Sequence, residues 1–99
     1  MRLPPAGPYV INLLGAGQEG LSRRFAEKQN PDRFAGIGYR LTALGLPVLD
    51  GVLAHIECES FAAYPLGDHT LFVGRVTGGD ATDGRPLLYY RGGYTDLAP

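Results

Sequence analysis

The sequence predicts a single, mainly β domain of antiparallel strands with one or two short helices. The 15 glycines and 8 prolines among 99 residues favour short strands and many tight turns. Hydrophobic residues reach 44%, which is too many for a disordered or collagen-like chain. From residue 50 onward, short apolar runs alternate with turn signals, as in antiparallel sheets. No repeat or linker divides the chain, so residues 1–99 are expected to form one domain.

The first part of the chain predicts a leader followed by a strand. Residues 1–8 contain three prolines, which cannot donate the hydrogen bonds of a β ladder, so we expect no regular element there. Residues 9–14, with the sequence YVINLL, are short, apolar and followed by a glycine. This pattern is typical of a buried strand.

Residues 18–29 predict a short helix. Leu21 and Phe25 are four residues apart and share one side, Glu19 precedes Arg23 by the spacing of a favourable ion pair, and Pro31 ends the run. Residues 36–49 are ambiguous, because their first part alternates like a strand while a glycine and a proline interrupt their second part.

Residues 52–64 predict a strand with one dry and one wet face. The residues of one parity are apolar, namely Val52, Ala54, Ile56, Cys58 and Ala62, while His55, Glu57 and Glu59 share the other. A type I turn is expected at 64–67, with Pro65 second and Gly67 fourth, followed by a returning strand over 70–77. A turn region over 78–86 leads to a strand at 87–90, and Gly92 and Gly93 are expected to end its pairing.

Composition excludes several classes of partner and compartment. Nine basic and ten acidic residues give a net charge of -1, so no basic field exists for nucleic acid or an anionic membrane. No hydrophobic run approaches the ~18 residues of a membrane span, and residues 1–8 lack the apolar core of a secretory signal. The single Cys58 excludes an intrachain disulfide. We therefore expect a cytoplasmic protein.

Gly15, Gly17 and Gly20 have the G-x-G-x-x-G spacing of a dinucleotide-binding turn, and they lie between a predicted strand and a predicted helix. Two observations favour a plain glycine-rich turn instead. The second half of the chain predicts hairpins rather than helical crossovers, and the acidic residue expected about 20 positions later is absent from 36–40. Nucleotide binding by this motif remains a minor alternative.

Three further groups of residues could carry chemistry. His55 and Glu57 could supply two metal ligands, but no third is evident, so a solvated face is favoured and no metal is expected. Cys58 lies on the apolar face and is expected to be a small buried residue rather than a nucleophile. Gly67, Asp68 and His69 precede a returning strand, where a side chain either caps a turn or faces a cleft.

An ordered series of motifs covers nearly the whole chain. It comprises YVINLL at 9–14, LSRRFA at 21–26, DRF at 32–34, GLPVLDG at 45–51, GDH at 67–69, VGRV at 73–76 and PLLYYRGGY at 86–94. In this order the motifs resemble the flavin reductase-like family, the FMN-binding split-barrel group that supplies reduced flavin to two-component monooxygenases. The resemblance implies an antiparallel split β-barrel, in which residues 15–20 are only a loop between a barrel strand and a helix.

The family resemblance also implies an activity and a site. Family members are oxidoreductases that transfer hydride from NADH or NADPH to FMN or FAD, and they are usually homodimers with the flavin near the subunit interface. The Gly67-Asp68-His69 turn would border the nicotinamide and flavin, with His69 as the catalytic residue. Further cofactor contacts would come from the positions matching the family pocket, which are Asn12, Ser22, Phe25 and Tyr94. A flavin-dependent monooxygenase component is a further implied partner.

The resemblance departs from the family pattern at its start. Family chains carry several strands before the position of Tyr9, so this chain resembles the C-terminal two-thirds of a flavin reductase-like domain. We therefore expect an N-terminally truncated reductase with a partial barrel, and two outcomes are open. The chain is either a flavin reductase, inactive alone if its flavin site requires the missing strands, or a non-catalytic flavin-binding or dimerising module of the same fold.

Overall fold

All strand pairings in the computed structural model are antiparallel, over the residues that the structure describes, 7–27 and 31–96. The elements are β1 (Pro8–Leu13), α1 (Glu19–Phe25), β2 (Tyr39–Leu41), β3 (Pro47–Leu49), β4 (Ala54–Leu66), β5 (His69–Ala81), β6 (Leu88–Tyr90) and β7 (Gly93–Thr95). This confirms the mainly β antiparallel class with one short helix, and the described strands do not close into a barrel. None of the described helical segments is long and apolar enough to cross a membrane.

The largest sheet has the order β1-β4-β5. β1 pairs with β4 only from Ala54 to Glu59, whereas β5 follows β4 along its whole length. Beyond Glu59 the sheet therefore continues as two strands, residues 60–74, which we call the outer hairpin. Register shifts at Glu57/Cys58 and at Ser60/Ala62 interrupt the β4–β5 ladder, as β-bulges do.

The turn predicted at 64–67 is wrong by two residues. β4 continues to Leu66, which pairs with His69, so the connection is a two-residue loop of Gly67 and Asp68. Gly67 has φ +64°, and positive φ at the first loop residue suits a hairpin. Pro65 is tolerated inside the strand because alternation of an antiparallel ladder turns its nitrogen away from β5.

The ends of several other elements differ from the sequence prediction. β4 begins at Ala54 instead of 52, β5 continues to Ala81 through part of the turn region expected at 78–86, and β6 begins at Leu88 instead of 87. β1 begins at Pro8, a first-strand position where proline is tolerated, so the leader is one residue shorter than expected. α1 ends at Phe25 instead of Gln29, and residues 28–30 lie outside the described residues. Beyond Phe25 the amide of Glu27 donates to the carbonyl of Arg24 at 3.2 Å, and the guanidinium of Arg33 donates to the carbonyl of Glu27 at 2.7 and 2.9 Å. Gly93 does not end pairing but opens β7.

The ambiguous stretch 36–49 forms a hairpin of β2 and β3. Gly45 has φ +78° and its amide donates to the carbonyl of Thr42 at 2.9 Å, which makes the tight turn. Tyr39 pairs with Leu49, and both ends of the hairpin are thus fixed. Val48 and Leu49 are among the few buried apolar side chains of the described chain.

The two faces of β4 are covered only partly as predicted, because Cys58 and Ala62 of the expected dry face are buried but so is His55 of the expected wet face. Asn12 and His55 are paired and therefore share one face, which β3 and α1 cover; we call it the helix-side face. The opposite side, which we call the open face, is apolar; it carries Tyr9, Ile11, Leu13, Ile56, Phe72 and Val76. His55 is only 7% exposed, so its predicted place on a wet face is wrong. The prediction is right for Glu59, which is exposed.

Candidate functional site

The loop between β1 and α1 is held by one side chain. Gln18 Oε1 accepts a hydrogen bond from the Gly15 amide at 2.8 Å, and Gln18 Nε2 donates to the carbonyl of Asp50 at 2.9 Å. The next amide, of Ala16, donates to the carbonyl of Arg85 at 2.8 Å. The amides of Gly15 and Ala16 are therefore hydrogen-bonded within the protein. The glycine motif also lacks the parallel βαβ unit of a Rossmann fold, because the described strands pair antiparallel. The loop interpretation implied by the resemblance is confirmed for residues 15–18, whereas Gly20 lies inside α1.

Asn12 fastens β3 to β1. Its Nδ2 donates to the carbonyl of Pro47 at 3.1 Å, and its Oδ1 accepts from the amide of Leu49 at 2.9 Å. An amide side chain is the type that can donate to and accept from a backbone strand at once. Asn12 therefore positions β3 on the helix-side face.

A small aromatic cavity lies against this clamp, and we call it the Phe25 cavity. It has a volume of about 220 Å³ and is lined by Asn12, Leu14, Phe25, Phe34 and Leu49. The rings of Phe25 and Phe34 meet edge to face with centroids 5.0 Å apart, and Tyr39 meets Phe34 at 5.5 Å. This volume is below the ~300–1,000 Å³ that ligand pockets usually enclose.

The other predicted residues of α1 and β7 meet in a neighbouring cleft. Ser22 Oγ and Tyr94 Oη lie 2.9 Å apart, and the guanidinium of Arg23 lies 4.8 Å from the centre of the Tyr94 ring. Tyr89 packs edge to face on Tyr94 at 5.3 Å. This Tyr94 cleft has a volume of about 310 Å³ and is lined by two tyrosines, the basic Arg23 and the acidic Glu27.

Asp68 and His69 occupy the tip of the outer hairpin. His69 Nδ1 and Asp68 Oδ1 are 2.5 Å apart, while the side chains of His69 and Asp68 are 82% and 91% exposed. The carboxylate fixes the proton of the imidazole on Nδ1, which leaves Nε2 as the nitrogen for a ligand. The Asp68 carboxylate thus orients the His69 ring, while both side chains remain exposed.

The structure divides the predicted site into two parts. Asn12, Ser22, Phe25 and Tyr94 gather around α1, whereas the Gly67-Asp68-His69 turn lies at the far end of β4. Asn12 pairs with His55, and eleven residues of β4 separate His55 from Leu66, roughly 35 Å of extended strand. With both tip side chains exposed, the turn does not pack against the α1 region of this chain.

Sequence reasoning missed several residues of the α1 region. Phe34 lines the Phe25 cavity. In the sequence, the only indication of this role was its place in the DRF motif at 32–34. Arg23 completes the Tyr94 cleft. The sequence had indicated Tyr89 and Tyr94 as rings for a planar ligand or for packing of a small sheet, but its pattern gives no indication that α1 and β6 meet. Sequence reasoning also missed Arg24. Its Nε donates to the carbonyl of Arg33 at 2.9 Å and thereby connects the segment after α1 to the helix.

The polar residues of β4 do not build a metal centre. His55 Nε2 lies 3.3 Å from Glu57 Oε2, while Glu59 pairs with Arg75 at 2.5 Å. Within residues 7–27 and 31–96, no three His, Cys, Asp or Glu side chains group closely enough to hold a metal ion. Cys58 is 5% exposed, which confirms its prediction as a small buried residue.

Tyr9 is a titrating group whose surroundings shift its pKa. Partial burial of its ring raises the pKa above the ordinary value of 10.0, and the neighbouring Cys58 thiol adds to the rise. The Tyr9 hydroxyl also crosses Gly74 so closely that a Cβ at that glycine would overlap Tyr9 Oη. These contacts lie on the open face, away from α1.

Comparison with known proteins decides the family. The flavin reductase like domain matches residues 3–98 of the chain. The chain belongs to this family. The reductase subunit HsaB of a flavin-dependent monooxygenase from Rhodococcus jostii (strain RHA1) is 40% identical over 95 residues. An NADH-dependent flavin reductase from a Rhodococcus species is 39% identical over 97 residues.

Two solved structures share the fold of this flavin reductase-like chain. Nitrilotriacetate monooxygenase component B from Mycobacterium thermoresistibile superposes with a TM-score of 0.89 at 41% identity, covering 95% of this chain and 54% of its own. The NADH:FAD oxidoreductase SgcE6 of Streptomyces globisporus gives 0.89 at 32%, covering 94% and 58%. The two curated relatives are covered over 48% and 53% of their lengths, against 95% and 97% of this chain. The chain therefore spans about half the length of the relatives it matches.

Proposed function

We propose that this chain carries part of the flavin site of an NADH-dependent flavin reductase, in which a nicotinamide reduces FMN or FAD. The observation that carries the proposal is the Phe25 cavity, where three positions that match the family pocket or its motifs, Asn12, Phe25 and Phe34, line one space. Relatives at 37–40% identity that are named as flavin reductases or reductase subunits support it.

The residues of the cavity suit one face of a planar ring. Phe25, Phe34 and Leu49 offer an apolar surface for stacking, and the amide of Asn12 lies at its edge. Since Asn12 also holds β3, the same side chain fixes the wall and faces the ring. A rigid wall of this kind orients a ring and excludes water from one of its sides.

The chemistry of the reaction belongs to the bound groups, because flavins and nicotinamides exchange hydride without a protein nucleophile. The chain's own residues then bind and orient. Arg23 and the hydroxyls of Ser22 and Tyr94 supply a cation and polar atoms for the anionic or hydroxylated part of a nucleotide. In the site as proposed, Asp68 sets the Nδ1–H tautomer of His69, and His69 Nε2 accepts a hydrogen bond from an N–H or hydroxyl group of the bound nucleotides.

The proposal includes a homodimer and a flavin-dependent monooxygenase as the consumer of the product. The separation of the tip from α1 supports the dimer, because a second copy is one means of bringing His69 to the Phe25 cavity. Several relatives are named as components or subunits of monooxygenase systems, which supports the second partner. We place the protein in the cytoplasm on the strength of its composition alone.

Flavin titration and NADH oxidation test the proposal. The purified chain is titrated with FMN and FAD by fluorescence, and NADH absorbance is then followed with and without added flavin. We expect Phe25→Ala to weaken flavin binding by at least ~10-fold, because it removes one aromatic wall. Leu44→Ala, at a residue 65% exposed on the β2–β3 turn, is the control and should change nothing. Flavin affinity that is equal in Phe25→Ala and wild type would refute the cavity.

His69→Ala tests the catalytic assignment separately. We expect slower flavin-dependent oxidation of NADH and a flavin affinity lowered by roughly 2–10-fold, since the proposed hydrogen bond of His69 is lost. Thr70→Val, at the neighbouring exposed position, is the control. If both properties survive His69→Ala, the role of this histidine is abandoned.

A non-catalytic flavin-binding or dimerising module is the second candidate. The exposed tip favours it, because Asp68 and His69 do not reach the α1 region within one chain. The same assays separate the two functions. A chain that binds flavin but leaves NADH unoxidised is such a module, whereas oxidation that depends on added flavin identifies the reductase.

A further inference from the structure

Phe34 lies in a segment without regular secondary structure, yet its ring has specific contacts. Residues 31–38, between α1 and β2, form turns rather than a helix or a strand. The ring meets Phe25 edge to face at 5.0 Å and Tyr39 at 5.5 Å, and it lines the Phe25 cavity. Phe34 is nevertheless 38% exposed. Burial of the ring alone is therefore a weak restraint, and the backbone around it must contribute to its position.

Two hydrogen bonds of this segment act locally. The amide of Ile37 donates to the carbonyl of Phe34 at 3.0 Å and closes a single turn. The guanidinium of Arg33 donates to the carbonyl of Glu27, which lies two residues beyond the end of α1. These bonds shape the segment and its connection, but they do not bond it to the helix that carries Phe25.

The guanidinium of Arg24 makes the connection to α1. Its Nε donates to the carbonyl of Arg33 at 2.9 Å, and its Nη2 donates to the carbonyl of Ala35. These two carbonyls belong to the residues immediately before and after Phe34. A guanidinium presents its donors in a rigid planar fork, so the two bonds fix the backbone on both sides of Phe34 relative to the helix.

Consecutive residues of α1 thus hold Phe34 at two levels. Arg24 bonds the backbone on both sides of Phe34, and Phe25 contacts its ring. Hydrogen bonds from a charged donor are roughly twice as strong as neutral ones. The preceding arginine serves another structure, because the guanidinium of Arg23 lies over the Tyr94 ring. The two neighbouring arginines of the helix are therefore not interchangeable.

We propose that Arg24 is a positioning residue of the flavin site, which holds the ring of Phe34 against Phe25 and so maintains the aromatic wall. This inference rests on the proposed function, because that wall is the surface on which the flavin ring stacks. Arg24 is not among the residues that line the Phe25 cavity. It therefore acts through the backbone of residues 33–35 and not by contact with the flavin.

The first measurement follows the two rings without flavin. Nuclear Overhauser cross-peaks between the ring protons of Phe25 and Phe34 report their contact. We expect these cross-peaks in wild type and their loss in Arg24→Met, which keeps an unbranched stem but removes every donor. Arg75→Met is the matched control and should retain them, since Arg75 is an exposed arginine of β5 whose ion pair is with Glu59.

Arg24→Lys is the second variant and decides the question if Arg24→Met does not fold. Lysine keeps the charge and the stem, so its melting temperature should stay within ~3 °C of wild type. Its ammonium is a point charge without the planar fork, and we expect weaker cross-peaks between Phe25 and Phe34 than in wild type.

The second measurement is a double-mutant cycle on FMN affinity, measured by fluorescence titration. We expect Arg24→Met to weaken FMN binding by about 3–10-fold in the wild-type background. In the Phe34→Ala background the same substitution should change affinity by less than ~1.5-fold, because no ring is left to position. A residue that only stabilised the fold, or that touched the flavin, would weaken binding by the same factor in both backgrounds.

Three results would overturn the proposal. The first is a folded variant of Arg24 with ring cross-peaks of wild-type intensity. The second is FMN affinity that Arg24→Met leaves unchanged, and the third is an equal loss of affinity with and without the Phe34 ring. A wild-type chain that binds no flavin would instead refute the proposed function, and the cross-peaks would still show whether Arg24 positions Phe34.

Discussion

The two ends of β4 have opposite surroundings. At its start, β1, β3 and α1 gather on one side, the Asn12 amide bonds two strands, and His55 is 7% exposed. In the outer hairpin β5 is the only described strand that pairs with β4; Ala62 and Ala63 are buried there, but Leu71 and Phe72 are 51% and 64% exposed. The comparison teaches that the order of this fold comes from a few specific polar clamps, and that the apolar side chains of β5 beyond them stay exposed.

Removing the Asn12 clamp should have the largest effect on stability. Asn12→Ala leaves the carbonyl of Pro47 and the amide of Leu49 without their partner, which should cost about 2–4 kcal/mol. Urea unfolding followed by circular dichroism measures the loss. Thr70→Val, which keeps a β-branched shape in the outer hairpin, should change stability by less than ~0.5 kcal/mol. Equal effects of the two substitutions would remove the contrast between the ends.

Hydrogen exchange compares the two ends without substitution. Amides of residues 62–64 should exchange at least ~10-fold faster than those of 54–56, because a two-stranded segment opens without unfolding the clamped end. Exchange followed by mass spectrometry or NMR at neutral pH gives the ratio. Uniform protection along β4 would show that a further contact supports the outer hairpin in solution.

Gly79 tests the tightness of the clamped end. A Cβ at this residue would lie 2.5 Å from the carbonyl oxygen of His55, which is backbone and cannot swing away. Gly79→Ala should therefore destabilise the chain by about 1–3 kcal/mol. Gly17→Ala is the matched control, since nothing lies within 4 Å of its Cβ, and thermal melting should show no loss. A silent Gly79→Ala would mean that β4 and β5 are loosely paired here.

The smallest effect concerns alkaline pH. The pKa of Tyr9 is raised, so the folded state holds this proton more tightly than the unfolded state, and its contribution to stability persists below pH 10.0 and fades above it. Wild type should lose stability on going from neutral pH to beyond this value more steeply than Tyr9→Phe does. Parallel denaturant titrations at several pH values check the difference. Superimposable pH profiles would contradict a shifted tyrosine.

The sequence predicted strands and pairings better than it predicted faces. Alternation over 52–64 correctly located β4 and its antiparallel return, because backbone geometry fixes a period of two. It assigned His55 to water since parity alone cannot tell which side of a sheet other elements cover. Only the bonds of Asn12 to β3, 35 and 37 residues away, decide that. The turn at Gly67 was missed because proline at 65 resembled a turn residue more than an edge-strand residue.

The candidate site shows the same limit. The motif resemblance selected Asn12, Ser22, Phe25 and Tyr94, and the structure brings these four around α1. It could not indicate that Gly67, Asp68 and His69 would stand apart, because motif order records sequence and not distance. Arg23 and Tyr89 join the Tyr94 cleft through contacts of 4.8 and 5.3 Å that no local pattern encodes.

Pro65 makes the two edges of the outer hairpin unequal in their ability to pair with further strands. Pro65 lies in β4 with its nitrogen on the edge away from β5, where a further strand would need a backbone N–H donor. Proline has no N–H and cannot donate this hydrogen bond. A fibril of stacked hairpins grows only if both edge strands of each hairpin can form backbone hydrogen bonds with a neighbouring hairpin. A chain with this proline can therefore start such a ladder from β5 but cannot easily extend it through β4, which keeps an unprotected apolar hairpin from polymerising.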